Sequence, residues 1–590
     1  MNKCCYDVLL KLNNGFKNQR LLAKECGYSL GSINKSLTRL KAEGYIFDNC
    51  LLTCKGTNLI DENSPENAVI LAAGRAARMI PINFVTPKAL VEVNGKAIIE
   101  RQIEQLQNAG IKDIYIVVGF LKEKFEYLID KYGVKLIINT EYDTKNNLVS
   151  LAKAADVIKN TYIVPCDIWC SDNPYSKTEA YSWYMMSGEI DNSSDCEVNN
   201  KMQIVRTKKS GQRMIGISYI CKNDSKQFVK KLKAMKSNYQ NYNCFWEESC
   251  YDDNKMFQFA KIVDGKKYVE INTYEDLRLA DGDSAHLKNE AIEIIKSVLD
   301  CKNEDIIDII TLKKGMTNRS FMFSCKGKKY IMRIPGEGTD NIINRQEEAQ
   351  VYDVIKDKNV CDNIIYMNPK NGYKITEYID NARTCDCLSN YDLKLCMSKL
   401  RQLHSLDVKV SHSFDLFSQI EFYESLREGV DSVYRDYERT KENVYKLKQY
   451  IDSQDIEYRL THIDAVPDNF LIYKEFDEDK VRLIDWEYAG MQDPHIDLAM
   501  FSIYSFYDRE QIDNLIDIYF EGECDDKTRI KIYCYVAICG LLWSNWCEYK
   551  LMLDVEFGEY SIKQYRYAKE FYKIAVDEIT KQRMYIYEEN

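Results

Sequence analysis

Apolar residues recur at helical spacing three times near the start of the chain: Val8, Leu9 and Leu12, then Leu21 and Leu22, then Ile33, Leu37 and Leu40. Gly27 separates the second group from the third, and Ser29 is placed to cap a helix running to Glu43. Tyr45–Thr53, with Gly56, predicts a small β-wing. Asp61–Asn67 is a short polar linker containing Pro65, and the pattern then changes. A buried strand at Ala68–Ala73 opens an alternation: helix Ile98–Ala109, strand Ile114–Val118, helix Lys122–Lys131, strand Lys135–Asn139, helix Val149–Val157, strand Thr161–Pro165. Such alternation predicts a mostly parallel sheet with helices on both faces and ligands at the carboxyl ends of its strands. From about Asn289 the pattern changes again. Ile309–Cys325 and Lys329–Ile334 predict a β-hairpin lobe turning at Lys326-Gly327, a helix begins near Ile342, and the chain is mainly helical from Tyr391. The fold class is multidomain α/β and α+β, with modules at residues 1–62, 66–284 and 289–585.

Composition narrows the setting. Of 590 residues, 45% are apolar and 29% charged, as in a soluble globular protein, and the net charge of −11 gives no broad basic field for nucleic acid or membrane. Residues 1–60 are the exception: nine cations face four carboxylates, a net charge of +5. The 21 cysteines are scattered without paired C-x-x-C spacing, and five histidines make a Cys/His metal framework a poor expectation. No signal peptide is read at the start, and the most apolar run, Tyr533–Trp543, is too short to span a bilayer. The expected location is cytoplasmic, with reduced thiols and no membrane segment. The oligomeric state, a homo-oligomer included, stays open.

The most informative stretch is THIDAVPDNFLIYKEFDEDKVRLIDWEY, Thr461–Tyr488. An Asp in H-x-D-x-x-x-x-N precedes a second Asp by one short strand, the order of parts in phosphoryl transfer. Asp464 is the candidate base that orients and deprotonates an attacking hydroxyl, and Asn469 and Asp485 are the candidate magnesium ligands. Upstream, Lys314–Asn318, including Thr317 and Asn318, forms a polar loop suited to covering phosphates. Arg333 is a strand-borne phosphate contact, and Glu348 on the next helix is its expected partner. His404 and His462 read as loop-orienting residues. This set, with RQLHSL, DPHIDLAMF and LLWSNW, resembles choline/ethanolamine kinases, which carry Arg at that strand. The resemblance covers about 290–580 and implies a bilobal kinase-like domain using ATP and Mg2+. Trp543 and Trp546, three apart on one helix face, fit either core packing or a cation–π cage for a quaternary ammonium group.

In AVILAAGRAARMIPINFVTPKALVEV a buried strand opens into small residues, then Arg78 and Lys88. Small residues admit a nucleotide close to the backbone, and two cations can grip its triphosphate. The string resembles the signature of sugar-nucleotide and CTP:phosphocholine nucleotidyltransferases, with a Rossmann-like α/β sheet, and further matches such as FWEE and VEINTYEDLRLAD run to about residue 283. The resemblance implies that Ala72, Ala73 and Gly74 meet base and ribose, that Arg78 and Lys88 bind CTP phosphates, and that Asp167 holds magnesium. Two departures stand out: Ala76 replaces a glycine, and Asn272 replaces a metal-binding Asp. Trp169, Trp183 and Trp246 with Glu247 are a candidate second aromatic set for phosphocholine. The first 60 residues resemble MarR-like winged-helix domains, which fit DNA binding and protein contact equally well.

Together these readings imply a bifunctional enzyme that phosphorylates choline with ATP and then joins phosphocholine to CTP. Two alternatives remain at this point: a kinase and nucleotidyltransferase for another amino alcohol or an aminoglycoside, and a winged-helix regulator with enzyme-derived sensing domains. An intact Asp464, Asn469 and Asp485 set speaks against pure sensing.

Overall fold

The computed structural model describes residues 1–15, 18–84, 86–312, 318–336, 339, 342–553, 555 and 557–588. They form two compact units, Met1–Lys296 with Ile309–Thr311, and Ser297–Asp308 with Leu312–Asn590.

The first unit opens with helices α1 (Lys3–Asn13), α2 (Gln19–Cys26), α3 (Leu30–Ala42) and α4 (Cys54–Asn63). Each starts at a residue whose side-chain oxygen accepts a backbone N–H of the first turn: Asn2, Asn18, Ser29 and Thr53. The expected wing is smaller than the sequence predicts. Its only ladder is the single Ile46–Leu52 bridge, and Gly56 lies inside α4, where any Cβ would strike the Tyr45 carbonyl oxygen.

Strands β1 (Asn67–Ala72), β2 (Asp113–Val118), β3 (Lys135–Ile138) and β4 (Thr161–Pro165) form the parallel half of a sheet in the order β3-β2-β1-β4. The remainder is mixed, which the alternation did not reveal. Among β5 (Trp183–Asp191), β6 (Gly211–Ile220) and β7 (Lys255–Val263), β6 runs antiparallel to both β4 and β5, and β7 runs parallel to β5. Separate apolar clusters cover the two faces. The carboxyl ends of β1 and β4 lie at one end of the sheet; Trp183 and Phe259, paired across β5 and β7, lie at the other.

The helical start of the chain is fixed to that other end. Asp7 accepts from Tyr181 Oη at 2.6 Å, Tyr28 Oη at 2.7 Å and Lys3 Nζ at 2.8 Å. The Tyr6 ring lies 5.3 Å from that of Tyr181, and Asn160 Nδ2 donates to the Glu62 carbonyl at 2.9 Å.

In the second unit, β8 (Asn318–Cys325) and β9 (Lys328–Pro335) form the expected hairpin, with Lys326 and Gly327 at positive φ in the turn. Lys374–Glu377 pairs with β9, and Ile364–Met367 lies beyond it. Helix α5 (Arg345–Ile355) starts three residues later than expected because Asn344 caps it. The apolar run at Tyr533–Trp543 belongs to a longer helix, α6 (Asp526–Met552), which packs on α7 (Glu559–Glu588). By length and composition α6 could cross a membrane, but its most apolar window is wholly buried within the unit.

The α6–α7 contact depends on Gly540. A Cβ there would lie 2.7 Å from the Gln564 carbonyl oxygen and 2.8 Å from Tyr567 Cβ. Gly540→Ala should therefore destabilise the second unit by about 1–3 kcal/mol, because overpacking outweighs the intrinsic helix preference for alanine. Urea denaturation followed by tryptophan fluorescence measures it; a neutral or stabilising change would show that the helices separate freely.

Candidate active sites

At the carboxyl end of β1 the chain passes through buried Ala72 and Ala73 to exposed Gly74. Ala76 adopts a left-handed backbone, φ 50°, a conformation in which glycine costs about 1 kcal/mol less. The departure from glycine is thus a local strain, not a change of path. Arg78 is exposed on the short turn Ala77–Met79. Lys88 is the focus of this end: Nζ donates to Asp167 Oδ2 at 2.7 Å and to Asn272 Oδ1 at 2.6 Å. Three residues far apart in sequence thus converge on one charge. Asn272 Nδ2 donates to Glu270, which pairs with Arg213, so the amide is held with its oxygen toward Lys88. Arg75 was not singled out from the sequence, although it lies in the same loop. It pairs with Asp143 at 2.7 Å and lies 5.6 Å from the Phe120 ring and 5.9 Å from that of Tyr142.

The second aromatic set is not assembled. Trp183 belongs to the cluster on one sheet face, with Lys261 Nζ 3.8 Å from its ring centre, and Trp246 belongs to the other. Trp169 lies under the Arg101 guanidinium at 4.6 Å. Trp246 packs on Tyr184 and Phe228 at 5.9 and 6.0 Å, and its backbone N–H donates to Asn147 Oδ1 at 2.9 Å. Glu247 accepts from Tyr184 Oη at 2.9 Å, and burial pushes its carboxyl up to about 7.

In the second unit Asp464 and Asn469 lie on the loop between Arg459–Thr461 and Phe470–Glu475. Asn469 Nδ2 donates to the Asp464 carboxylate at 3.0 Å and to its carbonyl at 2.9 Å. Burial, reinforced by the charges of Asp485 and Glu487, pushes the Asp464 carboxyl up to about 8. Asp497 holds the loop by accepting the His462 and Ile463 amides at 3.0 and 2.7 Å. His404 Nε2 bonds Asp497 at 2.9 Å, and His462 Nε2 donates to the Ile484 carbonyl at 3.1 Å. Burial pushes His462 down to about 4, leaving it neutral. Both histidines therefore orient loops, as the sequence suggested.

Arg333 is buried between Glu348, 2.8 Å from Nη2, and Asp485, 3.3 Å from Nη1. Arg345 was missed by sequence reasoning. It bridges Glu348 and Glu487, both at 3.1 Å, and Asn318 Nδ2 donates to Glu487 at 2.9 Å. Its signal was the i, i+3 spacing to Glu348 on α5. Burial raises Glu348, but Arg333 and neighbouring cations outweigh it and hold the carboxyl well below the usual range. Asp485 adopts a left-handed backbone, φ 67°, a strain that persists where surrounding contacts fix it. Thr317 lies outside the described residues, with 313–316.

Trp543 and Trp546 are buried, 5.5 Å apart, with Tyr488 edge-on to Trp543 at 5.5 Å and Phe557 5.0 Å from Trp546. Tyr560 lies 6.4 Å from Phe557 and 6.0 Å from Tyr504. Burial pushes the phenols of Tyr488, Tyr504 and Tyr560 in this aromatic wall up. Glu548 is not available to the wall: Arg427 Nη1 and the Val433 N–H donate to it at 2.9 and 3.1 Å.

Both regions match known families. The model described as Choline/ethanolamine kinase covers residues 309–534, and the MobA-like NTP transferase domain covers 68–176. A choline-phosphate cytidylyltransferase of Streptococcus pneumoniae is 32% identical over 229 residues, 38% of this chain and 99% of that protein. A 2-aminoethylphosphonate cytidylyltransferase of Lancefieldella rimae is 35% identical over 226 residues, 36% of this chain and 92% of that protein. Protein LicA of Haemophilus influenzae is 29% identical over 270 residues, 42% of this chain and 76% of that protein. The chain is thus a fusion of a nucleotidyltransferase domain and a choline kinase-like domain, both enzymatic.

Two outcomes follow from the geometry. Between its ordinary value of 3.8 and about 8 the folded chain keeps a proton on Asp464 that the unfolded chain releases, so this group lowers stability as pH rises through that window. Asp464→Asn should raise the melting temperature of the second unit at pH 8 and leave it nearly unchanged at pH 4; equal shifts at both would refute a raised carboxyl. Ala76→Gly should relieve the left-handed strain, stabilising the first unit by up to about 1 kcal/mol less the added unfolded-state entropy. A clear loss of stability in thermal melts would contradict it.

Proposed function

We propose that this chain, whose front unit belongs to the choline-phosphate cytidylyltransferase family and whose second unit carries a choline/ethanolamine kinase domain, is a bifunctional cytoplasmic enzyme making CDP-choline from choline, ATP and CTP. One observation carries the reading: a Lys88, Asp167 and Asn272 cluster and an Asp464, Asn469 and Asp485 cluster occur in one chain, so the product of one site is the substrate of the other.

In the kinase unit the ionised form of Asp464, which grows as pH rises toward about 8, takes the proton of the acceptor hydroxyl, whose oxygen attacks the γ-phosphorus of ATP as ADP leaves. Arg333, fixed by Glu348, faces the phosphates, with Asn318 at the start of β8. The aromatic wall of Trp543, Trp546, Tyr488 and Tyr560 supplies cation–π attraction for a quaternary ammonium group. In the transferase unit a phosphocholine oxygen attacks the α-phosphorus of CTP and pyrophosphate leaves. Ala72, Ala73 and Gly74 admit the nucleoside, while Arg78 and Lys88 offset charge on the phosphates. Trp246 and Glu247 are the residues assigned to the phosphocholine acceptor, supported by the bond from the Trp246 backbone N–H to Asn147.

Magnesium fits both sites. Asp167 and Asn272 already turn oxygens toward a cation, the Lys88 ammonium, and Asn469 and Asp485 offer an amide and a carboxylate in the kinase unit. When bound, Mg2+ supplies positive charge to the nucleotide phosphates.

Residues 1–62 read as a winged helix. The exposed face of α3, with Asn34, Lys35, Thr38 and Arg39, supports DNA contact through residues 1–60.

The two sites separate by mutation. Asp464→Ala should lower choline-dependent ADP release by at least about 10²-fold while CTP-dependent pyrophosphate release from added phosphocholine persists. Lys88→Ala should do the reverse. Coupled product assays by mass, with choline, ethanolamine and 2-aminoethylphosphonate as competing acceptors, read both. Absence of CDP-choline from the parent enzyme, beside a working kinase, overturns the two-step reading.

A further inference from the structure

A cavity of about 520 Å³ lies between α3 and the turn Asn199–Met202 of the transferase sheet. Four cations line it, Lys3, Lys35, Arg39 and Lys201, and no carboxylate does. In a chain of net charge −11 that composition is a strong departure. Lys3 is paired with Asp7 and Arg39 with Glu43, but neither Lys35 nor Lys201 has an ion-pair partner among the described residues. Ser32 and Ser36 and the aromatic residues Tyr28 and Phe259 are also part of the lining.

Both walls are built. Asn199 Oδ1 accepts the N–H groups of Lys201 at 2.8 Å and Gln203 at 3.1 Å, which fixes the turn carrying Lys201. The opposite wall is anchored through Asp7 to Tyr181. The cavity is at the end of the sheet marked by Phe259 and Trp183, away from the carboxyl ends of β1 and β4 and from Lys88. A ligand held there does not compete with substrates.

We propose that this cavity binds a nucleoside phosphate as an effector, at a third nucleotide site distinct from both candidate active sites. Cations with hydroxyls recognise phosphate oxygens, aromatic rings offer a face to a base, and the volume lies within the range of small-molecule sites. A rigid duplex would use the exposed face of α3; it would not need the wall contributed by Asn200 and Lys201. A ligand clasped between α3 and the turn touches both, so its occupancy links the helical start of the chain to the transferase.

The test uses the full chain and two substitutions on the transferase wall, outside both active sites and outside α3: Lys201→Glu, which reverses charge, and Asn200→Trp, which fills the cavity. Isothermal titration with CTP and with CDP-choline should show one bound nucleotide more per chain in the parent than in either variant, or that class weakened by about tenfold or more. Steady-state constants of both reactions at substrate concentrations below saturation of the extra site should be unchanged, and melting curves check that both variants fold. Superimposable isotherms for parent and variants with both nucleotides overturn the proposal. So does loss of duplex DNA binding alone, which would assign the cavity to nucleic acid.

Discussion

Buried charge has to be balanced, and both candidate sites are organised by that requirement. In the kinase unit Glu348, Asp485 and Glu487 converge in the interior, and two arginines stand between them. Removing either cation would strand carboxylates in a low-dielectric setting, at a cost far above that of a surface pair. The network also joins elements that sequence keeps apart: a strand of the β-lobe, helix α5 and the loop after the catalytic strand pair. Asp464 stands at its edge, where burial, reinforced by the charges of Asp485 and Glu487, holds its proton. The same economy governs the transferase unit, where Lys88 neutralises Asp167 and takes up the free oxygen of Asn272.

Local signals made the centres of these sites legible. The spacing of Asp464, Asn469 and Asp485 follows from a short loop and strand pair, so a linear pattern carries it. Lys88 and Asp167 were readable because each sits at a strand end or in its loop. What depended on packing across the fold was not readable. Arg345 acts through Glu487, more than a hundred residues away, and nothing near it announces that partner. Trp183 and Trp246 look alike in sequence but face opposite sides of one sheet, because the strand order beyond β4 sets which face each meets. The alternation of strands and helices identified the parallel half of the sheet and missed the mixed half, whose strands lack intervening helices.

Helix α6 shows how composition misleads when packing decides. Its apolar residues go all the way round, a pattern shared by a membrane span and by a helix enclosed in a large core. Here the rest of the unit buries it, and two of the polar groups it carries find partners there: Tyr535 Oη donates to Asp493 at 2.9 Å, and Asn545 Nδ2 to Tyr437 Oη at 2.8 Å. The tryptophans on its last turns owe their fixed orientation to that enclosure. Under the proposed function, a rigid aromatic wall loses little entropy on meeting a cation, an advantage of preformed rings over a loop that must order first.

The replacement of a carboxylate by Asn272 can be placed in the same electrostatic frame. An aspartate there would face Asp167 across Lys88, and two full charges would hold the ammonium more tightly between them. The amide keeps the oxygen in place, because Glu270 fixes its nitrogen, but halves the charge that restrains Lys88. A lysine that must leave this pairing to follow developing charge on the nucleotide is released more readily from one carboxylate than from two. At the magnesium site proposed above, an amide oxygen is also a poorer ligand for a hard cation than a carboxylate. Under the proposed roles, position 272 trades cation affinity against the freedom of Lys88, and Glu270 keeps the amide oxygen in place.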